Sequence, residues 1–219
     1  MLKNAYLQDF DIVMCSHNLV KYYNGKVNST IPYVYPKYNL LDYSEDNKIF
    51  NYPGFPWGKV YKRELFEYAR FPEGYWYEDT IIHMLVYLQC EKFKYIDDVL
   101  YDYRFNENSI TNTVSNSVNS KVMDRYWIIK NIEQQYKNLS IECDDIFYVL
   151  LLKHLSAYYY KDIKLLDNEC VENLFVVAKE LLDNYKPNKK IELPFMLRQV
   201  EKAFEINDIE FWKLASSYQ

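Results

Sequence analysis

Thr80-Ile81-Ile82-His83-Met84-Leu85-Val86-Tyr87-Leu88-Gln89 runs almost directly into Phe93-Lys94-Tyr95-Ile96. In the first run Ile81, Met84, Leu85 and Leu88 recur at three- and four-residue steps, which places them on one face of a helix. The second run has the aromatic and β-branched content of a strand, and Val99-Leu100-Tyr101-Asp102-Tyr103 reads as another. A helix that feeds strands over so short a span points to an α/β arrangement. Towards the N-terminus, Lys62 to Ala69 reads as a short helix and Asp11-Ile12-Val13-Met14-Cys15 as a buried strand. Tyr22 to Val27 reads as a hairpin, because Asn24-Gly25 accepts the positive φ angles of a tight turn. Residues 31–53, rich in Tyr, Pro, Asn and Asp, read as a long loop.

Towards the C-terminus the pattern changes. After an Asn/Ser/Thr-rich stretch at 106–120, helical periodicity continues to the end. Helices are expected near 118–137, 143–161, 168–185, 192–205 and 208–217, with Asp167 and Asp208 as N-caps. Pro187 and Pro194 punctuate a linker between two of them. The expected organisation is an α/β region at 1–113 followed by an all-α region at 114–219. No internal repeat is present.

Composition narrows the function classes. The chain has 219 residues, 49% of them hydrophobic, with 24 Tyr, 12 Phe and 4 Trp. Only 4 Gly and 7 Pro occur, which argues against low complexity. The formal net charge of −5 argues against a broad nucleic-acid footprint. Cys15, Cys90, Cys143 and Cys170 are widely spaced and form no CxxC, so free thiols are expected rather than disulfides or zinc ligands. The first residues are too short a run and too polar for a secretory leader, and no apolar stretch is long enough to span a bilayer. A cytoplasmic protein is the expectation.

No nucleotide-binding glycine loop, GxSxG or HExxH occurs. His17, His83 and His154 are scattered and are read as structural or surface residues. The sequons at Asn28 and Asn138 carry no meaning without secretion.

Four pieces in one order carry the functional signal. They are Pro56-Trp57-Gly58-Lys59-Val60-Tyr61-Lys62-Arg63-Glu64-Leu65-Phe66, then Arg70-Phe71-Pro72-Glu73-Gly74, then Tyr77-Glu78-Asp79-Thr80. The last is Tyr95 to Arg104, followed by Ser109-Ile110-Thr111. Together they resemble the second half of bacterial family 2 glycosyltransferases. That family shows W-x-K-x-Y-x-R-x-x-[FL], then F-x-x-G-x-x-x-E-D, then a strand ending Y-x-Y-R, then S-I-T. Asp11-Ile12-Val13 fits the strand that follows the metal-binding region in those enzymes. The resemblance covers roughly residues 5–113. It implies a partial GT-A, Rossmann-like half-domain with a mixed sheet, followed by the all-α region.

The resemblance also implies roles. Inverting glycosyl transfer needs a carboxylate that accepts the proton of the attacking hydroxyl. Asp79 matches the family base and Glu78 would orient the acceptor. Their place at a helix start favours the ionised form, and a plain helix cap is the compatible alternative for Asp79. Trp57 and Lys59 match the acceptor cleft, where an indole can stack on a sugar ring. The alternative is a core Trp beside an exposed Lys. Trp76, with Tyr75, lies next to the Glu78-Asp79 pair and is a further candidate for the cleft. Arg104 matches the arginine near the nucleotide diphosphate, to which a guanidinium pairs well. A surface ion pair with Glu107 explains it otherwise. Ser109 and Thr111 would donate hydrogen bonds there, or simply form a polar turn.

The chain departs from the family at its start. A GT-A enzyme of this kind opens with a nucleotide pocket and an Asp-x-Asp that holds Mg²⁺ or Mn²⁺ against the diphosphate. Roughly the first hundred residues of that pattern are missing. Asp9-Phe10-Asp11 has the spelling but not the position, and Asp97-Asp98 sits in an expected strand-to-strand turn. No metal ligand is therefore assigned, and a metal cofactor is expected only of a complete enzyme. The expected reading is an enzyme half, which transfers a sugar from a nucleotide sugar to a glycan or surface-polymer acceptor. It would be a fragment, one product of a split gene, or a remnant. The other reading is a non-catalytic binding or assembly module that keeps the acceptor wall. A protein partner or a homodimer would cover the apolar face that the missing half leaves. Leu150 to Leu152, Leu155 and Tyr158 to Tyr160 of the tail read as helix-packing residues.

Overall fold

The computed structural model describes residues 1–35, 49–106, 109, 120–141, 143–156, 163 and 165–217. The chain divides into two compact units: residues 1–71 with 79–113, and residues 72–78 with 114–219. The first is a mixed four-stranded sheet with short helical segments and the second is helical, so the chain is an α/β fold followed by helices.

In the first unit, helix α1 (Leu2–Gln8) precedes strand β1 (Ile12–Tyr23). β1 is the centre of the sheet. β4 (Phe93–Arg104) runs parallel along one side, while β2 (Lys26–Tyr33) and β3 (Lys59–Tyr61) lie antiparallel on the other. Neighbours on both sides account for the unbroken apolar run Ile12-Val13-Met14-Cys15, all at most 2% exposed. The expected hairpin at 22–27 is the tip of a longer one. Tyr23 pairs with Lys26, and Asn24 and Gly25 take φ of 48° and 74°. β2 also extends into the stretch expected to be loop; 36–48 lie outside the described residues.

Two expected strands prove to be one. β4 continues through Asp97-Asp98, which bulge out where Cys15 pairs with Ile96 and Ser16 with Val99. A second shift follows at once, since Ser16 pairs with Val99 and His17 with Tyr101, so Leu100 is passed over as well before pairing resumes. The expected strand-to-strand turn at Asp97-Asp98 is therefore a bulge inside a strand.

The segment expected as a helix at Thr80–Gln89 is helical but not uniform. It widens to a π turn over Ile82–Val86 and tightens to 3₁₀ over Tyr87–Gln89. Ile82, His83, Met84, Leu85 and Val86 are all buried, so the segment is core on every side. The chain at 50–54 lies against it. The Tyr87 hydroxyl donates to the Pro53 carbonyl at 2.7 Å, and a Cβ at Gly54 would sit 2.6 Å from the His83 Cβ. The short helix expected at 62–69 is a 3₁₀ turn, Arg63–Phe66.

The second unit contains α2 (Asp124–Leu139), α3 (Asp145–His154), α4 (Asn168–Tyr185), α5 (Phe195–Glu205) and α6 (Ile209–Ser217). A 3₁₀ turn, Ser120–Met123, leads into α2. Asp167 caps α4 by accepting from Cys170 N–H at 2.7 Å, and Asp208 accepts from Phe211 N–H at 2.8 Å. Trp212 is fully buried among Phe175 and Phe204 and donates its indole N–H to Leu155 O at 2.9 Å. Leu150, Leu151, Leu152 and Leu155 are core residues; Tyr158 to Tyr160 lie outside the described residues. Burial alone would raise the Glu133 carboxyl. Hydrogen bonds from Lys130, Tyr185 and Lys137 outweigh it and bring the pKa down to about 2. Among the described residues no helix is long and apolar enough to cross a membrane.

Candidate functional site

The site grows from one turn. Phe55-Pro56-Trp57-Gly58 turns the chain into β3, and Gly58 takes φ of 68°, a left-handed value that favours glycine. The Gly58 carbonyl accepts from Cys15 N–H at 3.0 Å and from the Cys15 thiol at 3.4 Å. The turn is thus clamped to β1. Lys59 closes it from the other end by donating to the Phe55 carbonyl at 2.6 Å, with its ammonium 4.1 Å from the Phe55 ring centre.

That clamp holds Trp57 in a cluster of rings. Trp57 lies 3.7 Å from Phe55 at an interplanar angle of 7°, and stacks with Tyr103 at 4.7 Å and Tyr101 at 5.1 Å. His17 of β1 meets the indole nearly at right angles, at 4.9 Å. Trp57 is half-buried, and the outlying rings are Tyr101 at 37% and Tyr33 at 48% exposed. Trp57 is therefore both a packing element and part of an open aromatic surface.

The electrostatics of the turn are unusual. Burial pushes the Lys59 ammonium down to about 7, against the opposing pull of Cys15 and Asp79. Burial also lowers the His17 pKa, and the Lys59 charge adds to that. The Cys15 thiol is pushed up by burial. Near neutrality this corner holds a neutral imidazole, a protonated thiol and a lysine that is about half ionised.

Asp79 is half-buried at the start of the segment that carries the π turn, and its backbone carbonyl accepts from Ile82 N–H at 2.9 Å. Irregular helical turns of this kind are frequent at functional sites. Two residues earlier, Tyr77 takes φ of 64°, a value that costs a non-glycine residue conformational energy. Residues 72–78 belong to the helical unit. There the Trp76 N–H donates to the Asp124 carboxylate at 2.9 Å, and the Arg125 guanidinium lies 3.7 Å over the Tyr77 ring. Glu78, the last residue of that segment, is exposed.

The expected site residues divide accordingly. Trp57 and Lys59 share one turn, and Lys59 feels the charge of Asp79. Trp76 and Glu78 are anchored in the other unit. Arg104 ends β4, exposed, with its guanidinium 5.0 Å from the Tyr22 ring centre. Ser109 N–H donates to Asn106 O at 3.1 Å, a turn contact. Thr111 lies outside the described residues. From sequence, His17 was grouped with the structural histidines. The only signal for it was a histidine that continues a buried strand.

The described residues around Asp9 and Asp11 do not fit a divalent metal. The Asp11 carboxylate accepts from Glu91 and Lys92 N–H at 2.9 and 2.8 Å and pairs with Lys62 at 2.8 Å. Asp9 pairs with Lys62 at 2.8 Å, so this Asp-x-Asp is an ion-pair cluster. Among the described residues no group of three or more His, Cys, Asp or Glu could hold a metal ion.

No protein-family profile matches the chain, and no solved structure does. Among characterised proteins it is similar to Glycosyltransferase GlyA of Streptococcus pneumoniae serotype 4, at 31% identity over 102 residues. The match covers 47% of this chain and 13% of that protein. The chain is thus related to a glycosyltransferase and spans a small part of its length.

Proposed function

We propose that this chain is the acceptor-side part of an inverting, family 2-like glycosyltransferase of GT-A type, which moves a sugar from a nucleotide sugar to a glycan or surface-polymer hydroxyl. The observation that carries this reading is the 31% identity to a named glycosyltransferase. It is supported by the ordered motifs around Trp57, Asp79 and Arg104. Asp79 takes the proton of the attacking hydroxyl as that oxygen bonds to the anomeric carbon and the bond from that carbon to the nucleoside diphosphate breaks on the opposite face, releasing the diphosphate. Lys59 lies within reach of its charge. Trp57 and its neighbouring tyrosines form the apolar wall against which the acceptor ring rests. Glu78 and Trp76 orient the acceptor from the segment before the base. Arg104, Ser109 and Thr111 take the role of donor-diphosphate contacts that their match to the family motifs implies.

The donor pocket and its Mg²⁺ or Mn²⁺ belong, on this reading, to another part of a longer enzyme or to a partner chain. The complete enzyme works at the cytoplasmic side, where nucleotide sugars are made. Calorimetric titration with UDP, UDP-sugars and Mn²⁺ tests the division of labour. The chain alone is expected to bind none of them, and micromolar binding overturns the assignment to the acceptor side. In the assembled enzyme Asp79→Asn is expected to lower transfer by a factor of about 10² to 10⁴ while sparing donor binding. Undiminished transfer removes Asp79 as the base and favours a non-catalytic binding module.

A further inference from the structure

His17 has a role that none of the motifs announces. It stands at the centre of the aromatic cluster, with ring centres of Trp57 at 4.9 Å, Tyr33 at 5.1 Å, Tyr35 at 5.7 Å, Tyr103 at 6.3 Å and Phe55 at 6.4 Å. Its Nδ1 shares a hydrogen bond of 3.2 Å with the Tyr35 hydroxyl. Tyr35 is itself fixed, since its backbone N–H donates to the Tyr95 hydroxyl at 3.0 Å and that hydroxyl is 2.5 Å from Ser16 Oγ.

Burial raises the Tyr35 phenol well above its ordinary range, so it keeps its proton. A neutral imidazole has one N–H and one bare nitrogen. Where the phenol donates to Nδ1 the ring proton sits on Nε2, and where Nδ1–H donates to the phenol Nε2 is bare. Nε2 has no partner among the described residues, and it is not among the buried polar atoms left unsatisfied. His17 as a whole is 9% exposed. Nε2 is therefore an unused polar atom that solvent reaches, on an otherwise enclosed ring.

We propose that His17 is a positioning residue for the acceptor: locked by Tyr35, it donates its Nε2–H to a hydroxyl or acetamido oxygen of an uncharged pyranose that rests on the Trp57, Tyr101 and Tyr33 surface. This rests on the glycosyltransferase reading given above. A neutral donor among aromatic edges suits an uncharged ring, because it offers direction without itself carrying charge, while the nearby Lys59 ammonium is engaged by the Phe55 carbonyl and ring. A carboxylated or phosphorylated sugar would instead be held by charge.

The full chain labelled with ¹⁵N-histidine gives the first readout. At neutral pH, long-range proton–nitrogen spectra should show His17, assigned by loss of its signals in His17→Gln, as the Nε2–H tautomer. Tyr35→Phe should turn it into a tautomer mixture. Methyl β-glycosides of glucose, galactose and N-acetylglucosamine then serve as probes. At least one is expected to shift the His17 Nε2 resonance saturably, and methyl glucuronide is expected to bind no more tightly. His17→Leu should weaken that binding about tenfold, while His17→Gln, which restores an N–H donor, should recover most of it. An Nδ1–H tautomer, no response to any glycoside, or equal binding by wild type and His17→Leu overturns the proposal. In the assembled enzyme His17→Leu should raise the acceptor KM with little change in kcat. An unchanged KM beside an inactive Asp79→Asn variant removes His17 alone. Glycoside binding at His17 without any transfer removes the transferase reading and leaves the sugar subsite.

Discussion

The helical unit and the sheet unit are built from the same aromatic-rich alphabet but use it differently. In the helical unit Trp212, Phe175 and Phe204 are at most 4% exposed, and the Trp212 indole N–H has a carbonyl partner. In the sheet unit Trp57 and Tyr103 are half-buried, and Tyr33, Tyr101, Tyr22 and Tyr23 lie open to solvent. The sheet unit also carries the widened π turn, a lysine lowered to about 7 and an imidazole bonded to a buried phenol. The helical unit closes its Trp212 cluster into a core while leaving Trp127 and Phe195 more than half exposed, and the sheet unit buries Phe50 and Tyr87 but leaves the Trp57 cluster at a surface. Exposed aromatic clusters set beside shifted titratable groups mark functional surfaces more often than structural ones.

The largest effect should come from the closed core. Trp212→Ala removes a fully buried ring and leaves the Leu155 carbonyl unpartnered. It should cost about 3–5 kcal/mol, read from the urea midpoint of the helical transition. Trp57→Ala should cost visibly less stability and more ligand binding. If the two substitutions destabilise equally, the contrast between core and surface collapses.

A smaller effect tests the sheet unit's own tight spot. Gly54→Ala forces a Cβ to 2.6 Å from the His83 Cβ, against the buried π turn. The expected loss is about 1–3 kcal/mol. Gly25→Ala is the control. Nothing lies within 4 Å of its Cβ, but φ of 74° remains, so only the backbone cost of roughly 1 kcal/mol is expected. If Gly54→Ala is the milder of the two, the 50–54 segment does not sit against the turn as described.

What could be read from sequence follows the same division. The helices beginning after Asp167 and Asp208 were legible, because caps and periodicity are local signals. The sheet was legible only in pieces. Asp97-Asp98 looked like a turn, since nothing nearby shows that Val99 continues alongside Ser16. Register across so many residues is set by pairing, not by propensity. His17 was missed for that reason: its neighbours come from β2, the Trp57 turn and β4, and no local pattern brings them together. Asp79 was found only through the order of motifs, and its half-buried place before a π turn is visible only in three dimensions.

Among the described residues each unit also holds one lysine with a lowered pKa, which compares them through pH. Burial takes Lys59 down to about 7 and Lys153 to about 8, from an ordinary 10.5. Between the lowered and ordinary values the unfolded chain binds more protons, so stability rises with pH in that window. The penalty is fully present below the folded-state pKa and is relieved above it. Raised thiols act oppositely above about pH 9, because the folded protein keeps protons that the unfolded chain loses; Cys90 stands at about 12. Stability should therefore climb from pH 7 to about 9, by less than about 1.4 kcal/mol per pH unit for each lysine. Lys59→Met should flatten the start of that climb, and Lys153→Met the part above pH 8. A profile unaltered by Lys59→Met means that its ammonium is solvated and the corner is not the low-dielectric site described.

The smallest effects belong to the caps that made the helical unit legible. The Asp208 carboxylate accepts from Phe211 N–H, and its backbone carbonyl accepts from Trp212 N–H. Asp208→Ala removes the first bond and keeps the second, at a cost of about 1 kcal/mol. Asp167→Ala loses the bond from Cys170 N–H that holds the Asp167 carboxyl below its ordinary pKa. A lowered carboxyl contributes stability above its unfolded-state pKa and loses it as the pH falls through the folded value. The difference between wild type and Asp167→Ala should thus be present at neutral pH and fade as the carboxylate protonates. If it persists in strong acid, the bond at the start of α4 is not charge-assisted, and periodicity alone sets where that helix begins.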